Sequence, residues 1–362
     1  MYKSSNKLKL FLSLHSLILI TLTISGCKNS HSHTHLTTKA SNETVALITD
    51  TNSIDDQSYN ASAWKGLKQY GKKNNLTQGP GGYQYFTSSS SDNSKTQIQE
   101  AINENFKTIF GIGYNLKDNL ATAAKNNPKR NFVIIDSYIP HRKNVASVNF
   151  DNEQGAYLAG IIAAYTTKTN TIAFIGGIRS TPTIKYQIGF KDGVKFGAKQ
   201  LHKNIKFISA YTNSFSKNSK AKQLAINMIN QNADIIFQAA GKSGNGVFKA
   251  IKSINEANPV NKKIFVIGVD SDQQKLGNYF AKGQQESNFT LTSVIKSIDM
   301  ATQNIAQSTY QHKFPGGKSL KYNLNNNGVY ITNSPNVSTR AWDQAQKARL
   351  KIISGQIKVP KK

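Results

Sequence analysis

Asp50, Asp136 and Asp270 each close an apolar run rich in Val, Ile and Phe, the composition of a buried strand. A carboxylate at a strand end accepts paired N–H or O–H donors, such as those of sugar hydroxyls or a purine edge. The stretch from Asp50 to Asn60 is dense in hydrogen-bonding side chains and places one aromatic, Tyr59, where a helix should begin. An aromatic there offers a face on which a flat ligand can stack. Asp55 and Asp56 in the same stretch are expected to cap that helix rather than to touch a ligand.

The elements that must position these groups alternate. Strands are expected at 45–49, 83–87, 108–112, 132–135 and 145–150, with helices at 61–72, from Asp92 or Ser94 onward, and at 116–125. A second block repeats the rhythm. Its helices are expected at 153–166, 184–199, 220–230 and 246–254, and its strands at 171–175, 206–211, 234–238 and 264–269. This is the pattern of an α/β protein with two doubly wound parallel-sheet lobes. Ligands of such sheets sit beyond the carboxyl ends of the strands. The segments to read for chemistry are therefore those from Asp50, Gly111–Tyr114, Asp136–Ser137, Tyr211–Phe215, Gly241–Gly246 and Asp270–Asp272.

Catalytic signatures fail one by one. Gly241-Lys242-Ser243 mimics the end of a phosphate loop, but the required earlier glycine is Ile236. Gly111-Ile112-Gly113 lacks the third glycine of a dinucleotide fingerprint. No Gly-x-Ser-x-Gly and no His-Glu-x-x-His occurs, and nothing assembles a nucleophile, a base and an orienting group. A non-catalytic binding protein without cofactor is expected.

The 362 residues carry 46 Lys+Arg against 19 Asp+Glu, a net charge of +27, which taken alone would suggest nucleic acid. The N-terminus redirects that reading. Lys3, Lys7 and Lys9 precede an apolar run from Leu10 to Ile24, the length of a signal-peptide core rather than a membrane span. It ends in Ser25-Gly26-Cys27, and Cys27 is the only cysteine. This ending resembles a bacterial lipobox, which implies cleavage before Cys27 and acyl chains on its sulfur. Residues 1–26 then form a lipoprotein signal peptide and 27–43 a polar, flexible tether. His31, His33 and His35 in that tether are expected to be linker residues, not metal ligands. Losing Lys3, Lys7 and Lys9 takes the charge from +27 only to +24, so the basic character belongs to the mature chain.

Six ordered stretches then carry a resemblance: Asp50 to Gly66, Phe132–Asp136, Asn149–Gly160, Gly241–Phe248, Val266–Gln273 and Thr292–Lys296. Together they resemble the basic membrane protein family, which includes PnrA-like purine nucleoside receptors, lipoproteins feeding ABC importers. The resemblance implies a type I periplasmic-binding-protein-like pair of lobes joined by a three-crossing hinge. Lobe one would comprise 44–149 plus about 287–322, and lobe two 150–272 plus about 326–350. Asp50 and Asp136 would read the purine edge, Tyr59 and Phe215 would stack on the base, and Gly241, Asp270 and Lys296 would hold the ribose. Asn60 belongs to the same binding set.

The chain departs from the family pattern at Tyr59, where Phe is usual, at Lys242, where Gly is usual, and at Asn52-Ser53, which replaces a glycine-rich turn. The resemblance implies guanosine, adenosine or inosine as ligand, ABC permease subunits as partners, and no nucleic acid polymer. Through acyl chains on Cys27 the protein would sit on the outer face of the cytoplasmic membrane. The competing readings are a receptor for another small polar ligand, such as a sugar, and a basic surface adhesin that binds polyanions.

Overall fold

Strand and helix alternate from the first described element onward. In the computed structural model, residues 43–50, 53–88 and 91–361 are described. The signal peptide, Cys27, His31, His33, His35, Thr51 and Asn52 lie outside them. The first block runs β1 (Val45–Ile48), α1 (Tyr59–Lys73), β2 (Tyr83–Phe86), α2 (Ser91–Asn103), β3 (Thr108–Ile112), α3 (Lys117–Asn126), β4 (Asn131–Ile135) and β5 (Val145–Phe150). The second runs α4 (Asn152–Thr166), β6 (Thr171–Gly176), α5 (Thr181–Leu201), β7 (Lys206–Tyr211), α6 (Asn218–Ile229), β8 (Ile235–Ala239), α7 (Gly244–Glu256) and β9 (Phe265–Asp270). A hairpin of β10 (Asn278–Ala281) and β11 (Gln285–Asn288) follows, then β12 (Thr290–Lys296), α8 (Ile298–Tyr310), β13 (Ser319–Tyr322), β14 (Val329–Ile331) and α9 (Thr339–Ile353).

Two six-stranded sheets result, ordered β13-β5-β4-β3-β1-β2 and β14-β12-β9-β8-β6-β7. The first is wholly parallel, and the second carries one antiparallel edge, β14 against β12. The central strands are buried on both faces, which is why they read as continuous apolar runs without alternation. Helix α4 is apolar nearly all round because it lies between α5 and α9 as well as facing strands. The chain passes from one sheet to the other three times, at 150–152, 296–298 and 322–329.

The second of these crossings corrects one expected boundary. The stretch from about 287 is expected in lobe one, yet β12 pairs with β9 inside the second sheet. The return to lobe one starts only after Lys296, where α8 packs on α1 and Thr302 Oγ1 donates to the Ala63 carbonyl at 3.1 Å. Thr290–Lys296 is a fully buried strand, and residues of that kind need strand neighbours on both sides, which only the second sheet supplies. A second correction concerns α2. It begins at Ser91, so neither Asp92 nor Ser94 precedes it as an N-cap.

Candidate functional site

The carboxyl ends of β1, β3 and β4 face those of β6, β8 and β9 across a cleft, the place where doubly wound sheets bind their ligands. Asp50, Tyr59, Asp136, Phe215, Gly241, Asp270 and Lys296 all line it. Asn60 does not. It is fully buried behind Asp50 and donates from Nδ2 to Asp50 Oδ1 at 2.9 Å, so it orients a cleft carboxylate.

Local backbone explains why the aspartates point inward. Asp136 and Asp270 both adopt left-handed conformations, with φ of 64° and 65°. This region is sparsely populated by residues other than glycine, Asn and Asp, and such strain concentrates at binding sites. At the entrance to α1, Asp56 accepts from the backbone N–H groups of Ser58, Asn60 and Ala61 at 2.8–3.0 Å. It is thus the cap, and the Ser58 hydroxyl is left to donate across the cleft to Asp270 Oδ2 at 2.6 Å. Asp55, the other expected cap, sits exposed on the rim, with its carboxylate 3.5 Å from the Lys242 ammonium.

Lys296 is 1% exposed and ion-pairs with Asp136 across the lobes. Its ammonium also lies 4.8 Å from the Tyr59 ring centroid and 4.9 Å from that of Phe150. The Tyr59 hydroxyl donates to Asp136 Oδ2 at 2.7 Å, and burial beside that carboxylate drives its pKa well up, so the phenol stays protonated. Tyr186 donates to Asp270 Oδ1 at 3.3 Å and is held protonated in the same way. Burial pushes Asp270 itself up to about 6, against the opposing pull of Lys296 and Ser58.

Replacing Tyr59 by Phe removes only the hydroxyl and should change ligand affinity by no more than about tenfold. Tyr59→Ala removes the stacking face as well, for a loss of about 1–3 kcal/mol by titration calorimetry.

Opposite Tyr59, Phe215 reaches the cleft because Gly177 makes room: a Cβ at Gly177 would lie 2.3 Å from the Phe215 ring. Tyr211, its neighbour in sequence, turns away and donates to Gln187 at 2.7 Å. Further contacts close the mouth. Ser271 Oγ and Gln273 Nε2 from beyond β9 both donate to the Gln57 carbonyl, at 3.0 and 3.2 Å. The side chains of Tyr114 and Ser180 hydrogen-bond across the lobes. The arrangement is a closed cleft whose walls touch through polar groups.

The strand-end reading missed Ser58, Ser180, Thr183 and Tyr186. Ser180 and Thr183 follow β6, a strand end left unread, and the same rule applied there would have found them. Tyr186 stands six residues into α5, where no spacing signal distinguishes it from a core aromatic. Among the described residues, no group of three or more His, Cys, Asp or Glu is placed to hold a metal ion.

With this geometry in hand, comparison with known proteins decides the family. Residues 43–362 match the Bmp family model, described as ABC transporter substrate-binding protein PnrA-like. The chain belongs to this family. As a PnrA-like protein it is a substrate-binding component of an ABC transporter and not an enzyme. Among the PnrA-like protein's relatives is the ABC transporter nucleoside-binding protein BmpA of Lactococcus lactis, 42% identical over 340 residues, 94% of this chain and 95% of the relative. A CD4+ T-cell-stimulating antigen of Listeria monocytogenes is 39% identical over 320 residues, 88% of each chain. Among solved structures, an ABC transporter solute-binding protein from Aeropyrum pernix K1 superposes with a TM-score of 0.76 at 20% identity. That match covers 88% of this chain and 94% of the other, and it shows the shared fold.

Proposed function

We propose that this chain is a lipid-anchored receptor that captures a purine nucleoside between its lobes and delivers it to an ABC importer. The observation that carries the reading is the composition of the cleft: four aspartates, one lysine, and aromatic side chains entering from both lobes. An acid-rich cleft in a protein of net charge +27 selects against anionic ligands. A nucleotide or phosphosugar would bring its phosphate against Asp50, Asp136 and Asp270. A neutral ligand with several N–H and O–H donors suits these acceptors, and a flat ring suits Tyr59 and Phe215. The nucleoside-binding name of the 42% identical relative points the same way.

Within this reading Asp270 accepts the ribose diol, Gly241 approaches it through its backbone, and Asp50, steadied by Asn60, reads the base. Asp136 carries a role different from the one the resemblance implies. Its carboxylate already holds the Lys296 ammonium and the Tyr59 phenol, so it serves chiefly to set those two groups, and Lys296 then presents its charge toward Asp270. Binding from both lobes stabilises the closed state over the open one. Anchoring through Cys27 places this event on the outer face of the cytoplasmic membrane.

Titration calorimetry with guanosine, adenosine, inosine, uridine and ribose tests the assignment. Purine nucleosides should bind at least tenfold more tightly than uridine, and ribose should bind weakest. Equal affinity for ribose would mean that the rings select nothing. The pH dependence has a definite sign. Asp270 must be ionised to accept two hydroxyl protons, and its pKa in the closed, empty cleft is about 6. Affinity should therefore be constant above pH 7 and fall by up to tenfold per unit below pH about 6.

A further inference from the structure

Parallel register brings the amino ends of β1, β3, β4 and β5 to one pole of lobe one, opposite the cleft. The loops entering these strands are basic. Lys125 and Lys129 precede β4, Arg142 and Lys143 precede β5, and Lys313 and Lys318 precede β13. Specific bonds hold the loops together. Asn144 Nδ2 donates to the carbonyls of Ala124, Asn127 and Arg130 at 3.0, 3.2 and 3.1 Å. Gly316 sits so close to the 142–143 loop that a Cβ on it would lie 2.1 Å from the Lys143 carbonyl oxygen. Gly317 N–H donates to the Val145 carbonyl at 2.8 Å.

Five of the six cationic residues are exposed and Arg142 is half-buried. None of them ion-pairs with an acid among the described residues. Glu43, an acid at this pole, lies 3.3 Å from His312 and also faces Lys107, neither of them among the six. The polypeptide enters the fold at this same pole, where the Thr44 carbonyl accepts from the N–H groups of Lys107 and Thr108 at 3.1 Å. Cys27 lies only sixteen residues before Glu43, a span of at most about 55 Å.

We propose that this pole is a docking surface for the anionic headgroups of the membrane to which the chain is tethered. The inference rests on the reading of the chain as a membrane-held receptor. Charge complementarity and the entry point of the chain select the occupant: the segment from Cys27 joins the fold at this pole, and its six cations have no ion-pair partner among the described residues. Adsorption there would hold lobe one while leaving lobe two free to close.

Vesicle sedimentation of residues 40–362, which form a compact unit of their own, tests the surface apart from acylation. The protein should bind phosphatidylcholine vesicles containing phosphatidylglycerol and not pure phosphatidylcholine vesicles, with affinity falling as salt rises. The triple variant Lys129→Gln, Arg142→Gln, Lys143→Gln should bind about a hundredfold more weakly, at roughly fivefold per cation. A matched triple variant on α5, Lys191→Gln, Lys195→Gln, Lys199→Gln, removes as many positive charges and should lose less than fivefold. Three results would overturn the proposal: no binding to anionic vesicles, equal losses in the two variants, or tighter binding to soluble polyphosphate than to vesicles. Calorimetry with a purine nucleoside reads the receptor function separately, and the pole variant should keep wild-type nucleoside affinity.

Discussion

Asp270→Asn is expected to lose a hundredfold or more in purine nucleoside affinity while melting at or above the wild-type temperature at pH 7. The two halves of this expectation have one cause. Asp270 is buried, and its pKa is raised to about 6 by desolvation. An unfolded aspartate ionises near 4, so between pH about 4 and 6 folding must bind a proton that the unfolded chain has released. Stability of the empty protein therefore falls as pH rises through that window, and above pH 6 the cost of the buried charge is fully present. Asparagine removes the charge and that cost, while its side-chain oxygen still accepts from Ser58 or Tyr186.

Two hydroxyl donors bound to a carboxylate contribute about 1.5–3 kcal/mol each, and an amide cannot replace both. Thermal melts between pH 4 and 7, read beside calorimetry, check both parts. A variant that keeps nucleoside affinity would show that the diol lies elsewhere.

Lys296→Met should act in the opposite direction on stability. Removing the ammonium leaves Asp136 buried with only the Tyr59 phenol for company. Breaking a buried pair in this way costs about 3–5 kcal/mol, most of it the desolvated partner. Adding Asp136→Asn should recover most of that loss in denaturant unfolding, because the orphaned charge is gone. Nucleoside binding should stay impaired in the double variant, since the cation beside Asp270 is still missing. Recovery of both stability and affinity would show that Lys296 and Asp136 serve the fold alone.

Much of this site was legible because strand ends in a doubly wound sheet are marked by local composition. Val45–Ile48, Asn131–Ile135 and Phe265–Asp270 are buried on both faces, so each reads as an unbroken apolar run that stops at an aspartate. The bounds of β3 and β5 fall where their runs start and stop for the same reason. What stayed hidden depends on partners distant in sequence. β12 belongs to lobe two only through pairing with β9 and β14, and it carries no mark of its lobe. Ser58 looks like a helix cap until Asp56 is seen to hold the cap N–H groups and Ser58 to cross the cleft. The pairing of Lys296 with Asp136 joins residues 160 positions apart that the resemblance had placed at opposite ends of the ligand.

The excess of basic residues has a matching explanation in the fold. Acids are few, and the cleft gathers Asp50, Asp56, Asp136 and Asp270 around one buried lysine. The abundant lysines lie on helix surfaces and on the loops at the far pole of lobe one. The two proposals thus divide one chain into an interior for neutral, donor-rich ligands and an exterior for anionic surfaces.

The central claim is that the cleft holds a purine nucleoside, and the ligand carried through purification reports on it most directly. Mass spectrometry of the small molecules released when native protein is denatured should show guanosine, adenosine or inosine at near one per chain. A pentose, a pyrimidine nucleoside or a phosphorylated nucleotide released in that proportion would contradict the account.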